Sequence, residues 1–251
     1  MGTSTMGTST MGAPAPGTVT VWSDIGCPWA SLALHTLRAA ARARGRELLV
    51  DHRAFPLELF NAEPTPKYIV EPEVIVIGAL RPELGWRVWS GREADYPSTT
   101  LPAMEAVQAA KAPEVGGLRA SDELDAALRH AFYAESRCIS VLPVILEIAG
   151  DCPAVDARAL GDALARGAGR AEVFGQWRTA RGPDIAGSPQ LFAPGGWSAH
   201  NPGARFTWTG DPRTGGLPRL TAYSPRWAEE LLESLDRPEP ETASAAVHAS
   251  P

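Results

Sequence analysis

The stretch VTVWSDIGCPWA at residues 19–30 decides how the rest of the chain is interpreted, because a strand pattern in it runs into a helix start that carries a cysteine. Valine and threonine alternate at its beginning with the period of two that is typical of a β-strand. Asp24 and Gly26 supply turn residues, and Pro28 suits the first position of a helix, where its missing N–H costs nothing. The pattern therefore places Cys27 at the N-terminus of a helix.

A cysteine at such a position is predicted to be reactive. The unpaired N–H groups of the first helical turn and the positive end of the helix dipole favour a thiolate. We therefore expect the pKa of Cys27 to lie below that of a free cysteine, and Cys27 to react faster than the other two cysteines. Cys138 follows a turn at a helix end and Cys152 precedes a proline in a loop, so both are interpreted as structural.

The composition is that of an ordinary globular protein of 251 residues, 44% hydrophobic and 21% charged. No apolar run is long enough for a transmembrane helix, so a membrane is not an expected partner. The net charge of −6, with no Lys/Arg stripe, argues against nucleic acid. Three cysteines without a Cys-x-x-Cys pair favour a reducing compartment, so we expect a cytoplasmic protein. No metal-ligand spacing occurs, and no metal is expected.

Secondary structure is legible along most of the chain. Residues 48–57 are predicted to form a second strand parallel to the first, with His52 interpreted as a structural residue of that strand. Thr100 and Ser121 suit the N-cap positions of two later helices. The other predicted elements are helices over 142–149, 156–166 and 169–181, strands that start at Ser188 and at Arg205, and a final helix that opens at Ser224.

The order strand, Cys-Pro-Trp, helix resembles the active-site corner of the thioredoxin fold. It is most similar to the DsbA/FrnE-like family, whose motif normally reads Cys-Pro-Trp-Cys. Residues 130–140, HAFYAESRCIS, are similar to the family's helix with a Phe-Phe/Tyr-x-Glu segment, and Gly187-Ser188-Pro189 stands where the family carries its cis-proline. The resemblance covers most of residues 18–237 and implies an α/β, thioredoxin-like fold with an inserted all-helical subdomain.

The resemblance also implies a division of the chain. The thioredoxin-like domain is expected to comprise residues 18–58 and 186–237, and the helical insertion residues 59–185. Residues 1–17 and 238–251 are rich in small residues and proline, so they are expected to be disordered tails. The N-terminal stretch has neither the basic segment nor the apolar core of a signal peptide.

Ala30 stands where the family has its second cysteine, which normally releases the mixed disulfide. The sequence therefore predicts a DsbA-like, monothiol thiol-disulfide oxidoreductase that acts through Cys27 on small thiols or mixed disulfides. No tightly bound cofactor is expected, and a low-molecular-weight thiol would serve as co-substrate. Two alternatives stay open: a thiol-cofactor-dependent isomerase or transferase, like the kappa-class glutathione transferases and 2-hydroxychromene-2-carboxylate isomerases, and a non-catalytic DsbA-like binding protein.

The resemblance places the substrate between the two subdomains, beside the Cys27 sulfur. Trp29 is expected to be exposed there as a contact surface, and Trp86 and Trp89 are further candidates for apolar walls. The oligomeric state stays open, with a homodimer as one option. The residues predicted to contact the substrate are Pro28, Trp29, Ser188 and Pro189.

Overall fold

The computed structural model describes residues 14–15, 17–64 and 66–235. Six strands and nine helices are found in this part of the chain. The strands are β1 (Thr18–Ser23), β2 (Leu49–Ala54), β3 (Gln190–Ala193), β4 (Trp197–His200), β5 (Ala204–Trp208) and β6 (Pro218–Tyr223). The helices are α1 (Pro28–Ala43), α2 (Leu57–Asn61), α3 (Lys67–Leu80), α4 (Leu101–Ala109), α5 (Gly117–Tyr133), α6 (Leu142–Gly150), α7 (Ala157–Ala165), α8 (Arg170–Ala180) and α9 (Arg226–Leu235).

Strand β1 lies inside a four-stranded mixed sheet with the order β2-β1-β3-β4. It pairs in parallel with β2 through the connection α1, as predicted, and antiparallel with β3 on its other side. Val19 and Val21 point into an apolar core that α1 and α9 complete with Leu34, Leu37, Leu231 and Leu232. Each fully buried aliphatic side chain of this kind contributes about 1.5–3 kcal/mol.

The helices between β2 and β3 bury a second core among themselves. Leu124 and Leu128 of α5 pack there with Ile145 of α6, Leu160 of α7 and Val173 of α8. The division of the chain into domains at residues 58/59 and 185/186 stays a prediction, because α4, α5 and α8 also contact strand β2.

Buried polar side chains join these helices to β2. Gln176 on α8 accepts a hydrogen bond from the N–H of Ala54 (2.6 Å), and Gln108 on α4 donates to the carbonyl of His52 (3.0 Å). These contacts satisfy backbone groups of an edge strand that no further strand covers. The helices and the sheet are therefore linked by hydrogen bonds as well as by apolar packing.

An ionic cluster lies next to these hydrogen bonds. Arg38 of α1 donates to Asp122 (2.6 Å) and to Asp125 (2.8 Å) of α5, and the His52 ring nitrogen Nε2 lies 2.8 Å from Asp122. Burial raises the pKa of Asp122, but Arg38 and His52 outweigh it and lower that pKa to about 2. His52 is thus part of a structural network, in line with its interpretation from the sequence.

Two predicted helix starts differ in the structure. Helix α5 begins at Gly117 after Gly116, whose φ of 136° suits glycine, and not at Ser121. The Ser121 hydroxyl is buried inside the helix and donates to the carbonyl of Val107 (2.9 Å), so the predicted cap is wrong. Thr100 does precede α4, but its side chain makes no capping bond and contacts Glu58 instead.

The second half of the sheet is also arranged differently. After the strand that starts at Ser188, the sequence predicts the next strand at residues 205–208, but β4 comes first and pairs with β3. Gly195 and Gly196, at φ of 77° and 80°, reverse the chain between these two strands. Strand β5 exists, but it pairs only with β6 in a separate two-stranded sheet.

The remaining structural predictions concern the two tails of the chain and membrane-spanning helices. The expected tails at residues 1–17 and 238–251 fall almost entirely outside the described residues. None of the described helices has both the length and the apolar character that crossing a bilayer requires.

Candidate active site

Cys27 occupies the N-cap position of α1, as the sequence predicts. The preceding turn is fixed by the buried carboxylate of Asp24, which accepts hydrogen bonds from the N–H groups of Gly26 (2.7 Å) and Leu57 (2.8 Å). Pro28 takes the first helical position. Local sequence therefore places the thiol at the start of the helix, and the bond from Leu57 ties the turn to a segment 33 positions further along the chain.

The Cys27 thiol faces the loop before β3. The Ser188-Pro189 peptide bond is cis, as the resemblance implies, and the Cys27 Sγ atom donates a hydrogen bond to the Ser188 carbonyl (3.3 Å). The Ser188 hydroxyl accepts a second bond from the N–H of Asp24 (3.0 Å). The structure thus brings Cys27, Ser188 and Pro189 together, whereas their predicted roles toward a substrate stay predictions.

The prediction that the pKa of Cys27 is depressed is wrong. The residue is only 6% exposed, and this burial raises the pKa of the thiol to about 11, with a further increase from the nearby carboxylate of Glu73. The Ser188 side chain and the N–H of Ala30 act in the opposite direction but do not compensate. Desolvation of the thiolate therefore exceeds the benefit of the helix start.

Glu73 is a site residue that the sequence analysis missed. It lies on α3 and is 6% exposed, and burial raises the pKa of its carboxyl to about 7, with the Trp29 side chain acting against the increase. One turn further along α3, Ile77 packs in the same apolar cluster as Cys27. The available signal was a glutamate within the apolar run at residues 69–77, where a charged side chain is unusual.

The predicted exposure of Trp29 is also wrong. Its side chain is 4% exposed and stacks on Phe206 of β5, with 4.0 Å between the ring centroids and 9° between the planes. Pro28 is buried as well. Neither residue therefore presents a free surface beside Cys27, because β5 covers this side of α1.

Trp86 and Trp89, the candidates for apolar walls of the substrate site, pack against other aromatic side chains, and the substrate position between the subdomains stays a prediction. Trp86 packs against Tyr133 at 4.6 Å between centroids, and Trp89 against Tyr96 at 5.3 Å. A cavity lined by Gly26, Tyr96 and Phe132, among others, has a volume of only about 10 Å³. That is room for about one water molecule and not for a ligand.

A larger groove lies next to the Pro189 loop. It is lined by residues 200–206 and 222–224 and has a volume of about 610 Å³, which is in the range of small-molecule sites. His200 at its end has its ring nitrogen Nδ1 3.1 Å from the Pro189 carbonyl oxygen. Phe206 contributes both to this groove and to the apolar cluster around Cys27. The groove therefore adjoins the candidate site.

The other cysteines do not complete a dithiol motif. Cys27, Cys138 and Cys152 are all free thiols, and position 30, one turn after Cys27, holds a fully buried alanine. Cys152 is buried, donates to the Ile148 carbonyl (3.4 Å), and has a pKa raised by burial to about 11. The described residues contain no cluster of His, Cys, Asp and Glu that could hold a metal ion.

Comparison with solved structures identifies the fold. The cytosolic disulfide reductase DsbM from Pseudomonas aeruginosa matches with a TM-score of 0.58 and 20% identity over 86% of this chain and 97% of that chain. Its structure with GSH matches with a TM-score of 0.52 and 19% identity over 86% and 98%. A probable DsbA oxidoreductase from Streptomyces coelicolor matches with a TM-score of 0.53 and 20% identity over 91% and 94%.

Sequence comparison adds nothing to this result, since no protein-family model and no curated protein sequence matches the chain. The structural matches extend over nearly the whole length of the matched proteins. Together with the Cys27 helix start and the cis bond before Pro189, they show that the chain has the thioredoxin-like fold of the DsbA/FrnE-like proteins.

Proposed function

We propose that this chain is a monothiol thiol-disulfide oxidoreductase of the DsbA type, acting through Cys27 on small thiols or mixed disulfides. The observation that carries the proposal is the contact between the Cys27 Sγ atom and the Ser188 carbonyl before the cis bond. This contact sets the sulfur beside a backbone segment that a bound thiol compound can pair with. Because Ala30 offers no second sulfur, resolution has to come from a thiol in solution.

The reaction proceeds in two exchanges. The Cys27 thiol loses its proton, and the sulfur attacks a disulfide R–S–S–R′ to form Cys27–S–S–R and release R′–S⁻, which takes up a proton. A second thiol, as its thiolate R″–S⁻, then attacks the R sulfur, forms R–S–S–R″ and returns Cys27 as a thiolate that is reprotonated. The protein is neither oxidised nor reduced overall, and no tightly bound cofactor takes part.

The partner thiol would bind in the groove lined by residues 200–206 and 222–224. The DsbM structure with GSH supports a small thiol as the partner. Arg205 lines the groove, is exposed, and forms no ion pair with any described residue, so it is available for a ligand carboxylate. The description of DsbM as cytosolic supports a cytoplasmic location for this chain too.

A second candidate function follows from the protonation state of the Cys27 thiol. With a pKa near 11, Cys27 is protonated at neutral pH and donates a hydrogen bond. A protonated thiol at this corner suits a thiol-cofactor-dependent isomerase or transferase, in which Cys27 would hydrogen-bond the sulfur of the bound cofactor without forming a covalent bond to it.

Mass spectrometry after incubation with glutathione disulfide separates the two candidates. The oxidoreductase predicts one glutathione adduct on Cys27, its removal by added glutathione, and no adduct in the Cys27→Ser variant. The Cys152→Ser variant is the matched control and should react like the wild type. No adduct on Cys27, together with glutathione binding that survives Cys27→Ser, would reject the oxidoreductase in favour of the second candidate.

A further inference from the structure

Two buried side chains at the end of α5 contact the segment that carries Cys27. Arg129 is 4% exposed and donates from Nη1 to the Asp24 carbonyl (3.0 Å) and from Nη2 to the Ser23 hydroxyl (2.9 Å). Its charge is balanced by Asp125, whose carboxylate lies 3.0 Å from Nε. A buried guanidinium in which each of the three nitrogens has a partner fixes geometry well, because its donors form a rigid planar fork.

Arg129 also reaches Cys27 itself through one hydroxyl group. Its Nη1 atom donates to Ser31 Oγ (2.8 Å), and Ser31 Oγ donates to the Cys27 carbonyl (3.2 Å). The chain Arg129, Ser31, Cys27 therefore runs entirely through buried hydrogen bonds. Breaking either hydrogen bond costs free energy, because these buried atoms cannot bond to water instead.

Tyr133 lies one helical turn after Arg129 and contacts Ile25, the residue that follows Asp24 in the loop. Its hydroxyl donates to the Ile25 carbonyl (2.9 Å), and the side chain is 2% exposed. Burial raises the pKa of Tyr133 far above its ordinary value, and the next largest cause is the proximity of Cys27. The phenol thus lies near the thiol as well as against the loop.

We infer that Arg129 and Tyr133 are positioning residues for Cys27: they fix residues 23–27 so that the Sγ atom stays against the Ser188 carbonyl. The inference rests on the proposed function, because positioning matters only if the sulfur reacts with a bound partner. Residues 24–27, between β1 and α1, have no regular secondary structure, and three carbonyl or hydroxyl groups of residues 23–25 are satisfied by these two side chains. Without Arg129 and Tyr133 the loop would lose these three hydrogen bonds.

Loss of positioning has two effects of opposite sign. A looser loop exposes Cys27 to solvent, lowers its pKa toward the ordinary value and speeds alkylation by a small reagent that needs no orientation. The same mobility slows exchange with a bound disulfide, because the Cys27 sulfur is aligned less well with the disulfide bond that it attacks. A purely structural role would change neither rate in the folded protein beyond what the added unfolded fraction explains.

The test uses Tyr133→Phe and Arg129→Lys, with Ser121→Ala as the control for loss of a buried hydrogen bond on the same helix. Each variant is assayed for Cys27 alkylation by iodoacetamide as a function of pH, for exchange with glutathione disulfide, and for its melting temperature. We expect Tyr133→Phe to speed alkylation and slow exchange by about fivefold each, the ratio that corresponds to one hydrogen bond, and Arg129→Lys to do so more strongly.

The inference would be overturned if the alkylation profiles of Tyr133→Phe and Arg129→Lys matched that of Ser121→Ala. It would also be overturned if the alkylation and exchange rates of these variants rose together in proportion to the unfolded fraction. If the wild type shows no exchange, the proposed function fails by itself, and the positioning inference is decided by the alkylation profiles alone.

Discussion

Replacing Glu73 with glutamine tests whether a buried carboxylate helps to keep the Cys27 thiol protonated. The two side chains have nearly the same volume, so the packing of α3 around Ile77 is preserved. The substitution removes one negative charge that raises the pKa of Cys27. We therefore expect Glu73→Gln to increase the thiolate fraction and to speed alkylation of Cys27.

The size of the effect depends on how much of the increase in the Cys27 pKa comes from Glu73. Burial is the largest cause of the increase in the Cys27 pKa to about 11, and Glu73 is the next. We expect removal of the Glu73 charge to raise the thiolate fraction about three- to tenfold. The rate of alkylation above about pH 7, where Glu73 is charged in the wild type, should rise by the same factor.

The pH dependence makes this prediction specific. Glu73 has a pKa near 7, so in the wild type it carries its charge only above about that pH. The ratio of the variant rate to the wild-type rate should thus be close to one in mild acid and should rise through neutral pH. A general loosening of the site would raise the ratio at every pH.

The assay is peptide mapping after timed iodoacetamide treatment from about pH 6 to about pH 9, a range that brackets the Glu73 carboxyl. Glu71→Gln is the matched control, since Glu71 lies on the same helix and is not among the main causes of the raised Cys27 pKa. A ratio that does not change with pH, or that Glu71→Gln reproduces, would refute the reasoning.

Glu73 should also make stability depend on pH. Its pKa is higher in the folded protein than its ordinary value of 4.5, so the folded state binds the proton more tightly than the unfolded chain. This contribution to the free energy of unfolding is present in acid and is lost as pH rises from about 4.5 to about 7. Chemical denaturation across this range should show the loss in the wild type and not in Glu73→Gln.

Three further predictions concern other parts of the molecule. Ala30→Cys should form a disulfide with Cys27 and give insulin-reductase activity that the wild type lacks; equal activity of both proteins would mean that another cysteine resolves the intermediate. Phe206→Ala should remove the partner of Trp29, lower the free energy of unfolding measured in urea by about 2 kcal/mol, less than for a fully buried ring, and speed Cys27 alkylation; an unchanged rate would show that β5 does not shield the thiol. The pKa of Asp122 lies near 2 against an ordinary 3.8, so stability should fall as pH drops through this interval, and Asp122→Asn should flatten the fall; the same slope in both proteins would exclude the ionic cluster as its cause.

The parts of the site that sequence could predict are those with local causes. The strand, the turn and Pro28 suffice to place Cys27 at the start of α1, because each depends on neighbouring residues only. The cis bond before Pro189 came from the resemblance, since few bonds to proline are cis and nothing nearby in the sequence requires this one. The thioredoxin-like fold followed from the order of these landmarks.

The parts that were missed have long-range causes. The pKa of Cys27 depends on burial and on Glu73, which belongs to another helix. The exposure of Trp29 depends on Phe206, from a strand that is far away in the sequence and lies outside the main sheet. Strand periodicity can indicate β5, but it does not tell which strand β5 pairs with or which helix it covers.

The contact between Cys27 and Ser188 has a consequence for the newly made chain. The two residues are 161 positions apart, so Cys27 leaves the ribosome long before the carbonyl that accepts its hydrogen bond exists. Strand β3, which pairs with β1, is also synthesised late. Until then the thiol lacks this contact and the cover that β5 provides, so it meets cellular oxidants in a less buried form than in the finished protein. Completion of the C-terminal strands is the step that finishes the burial of this cysteine.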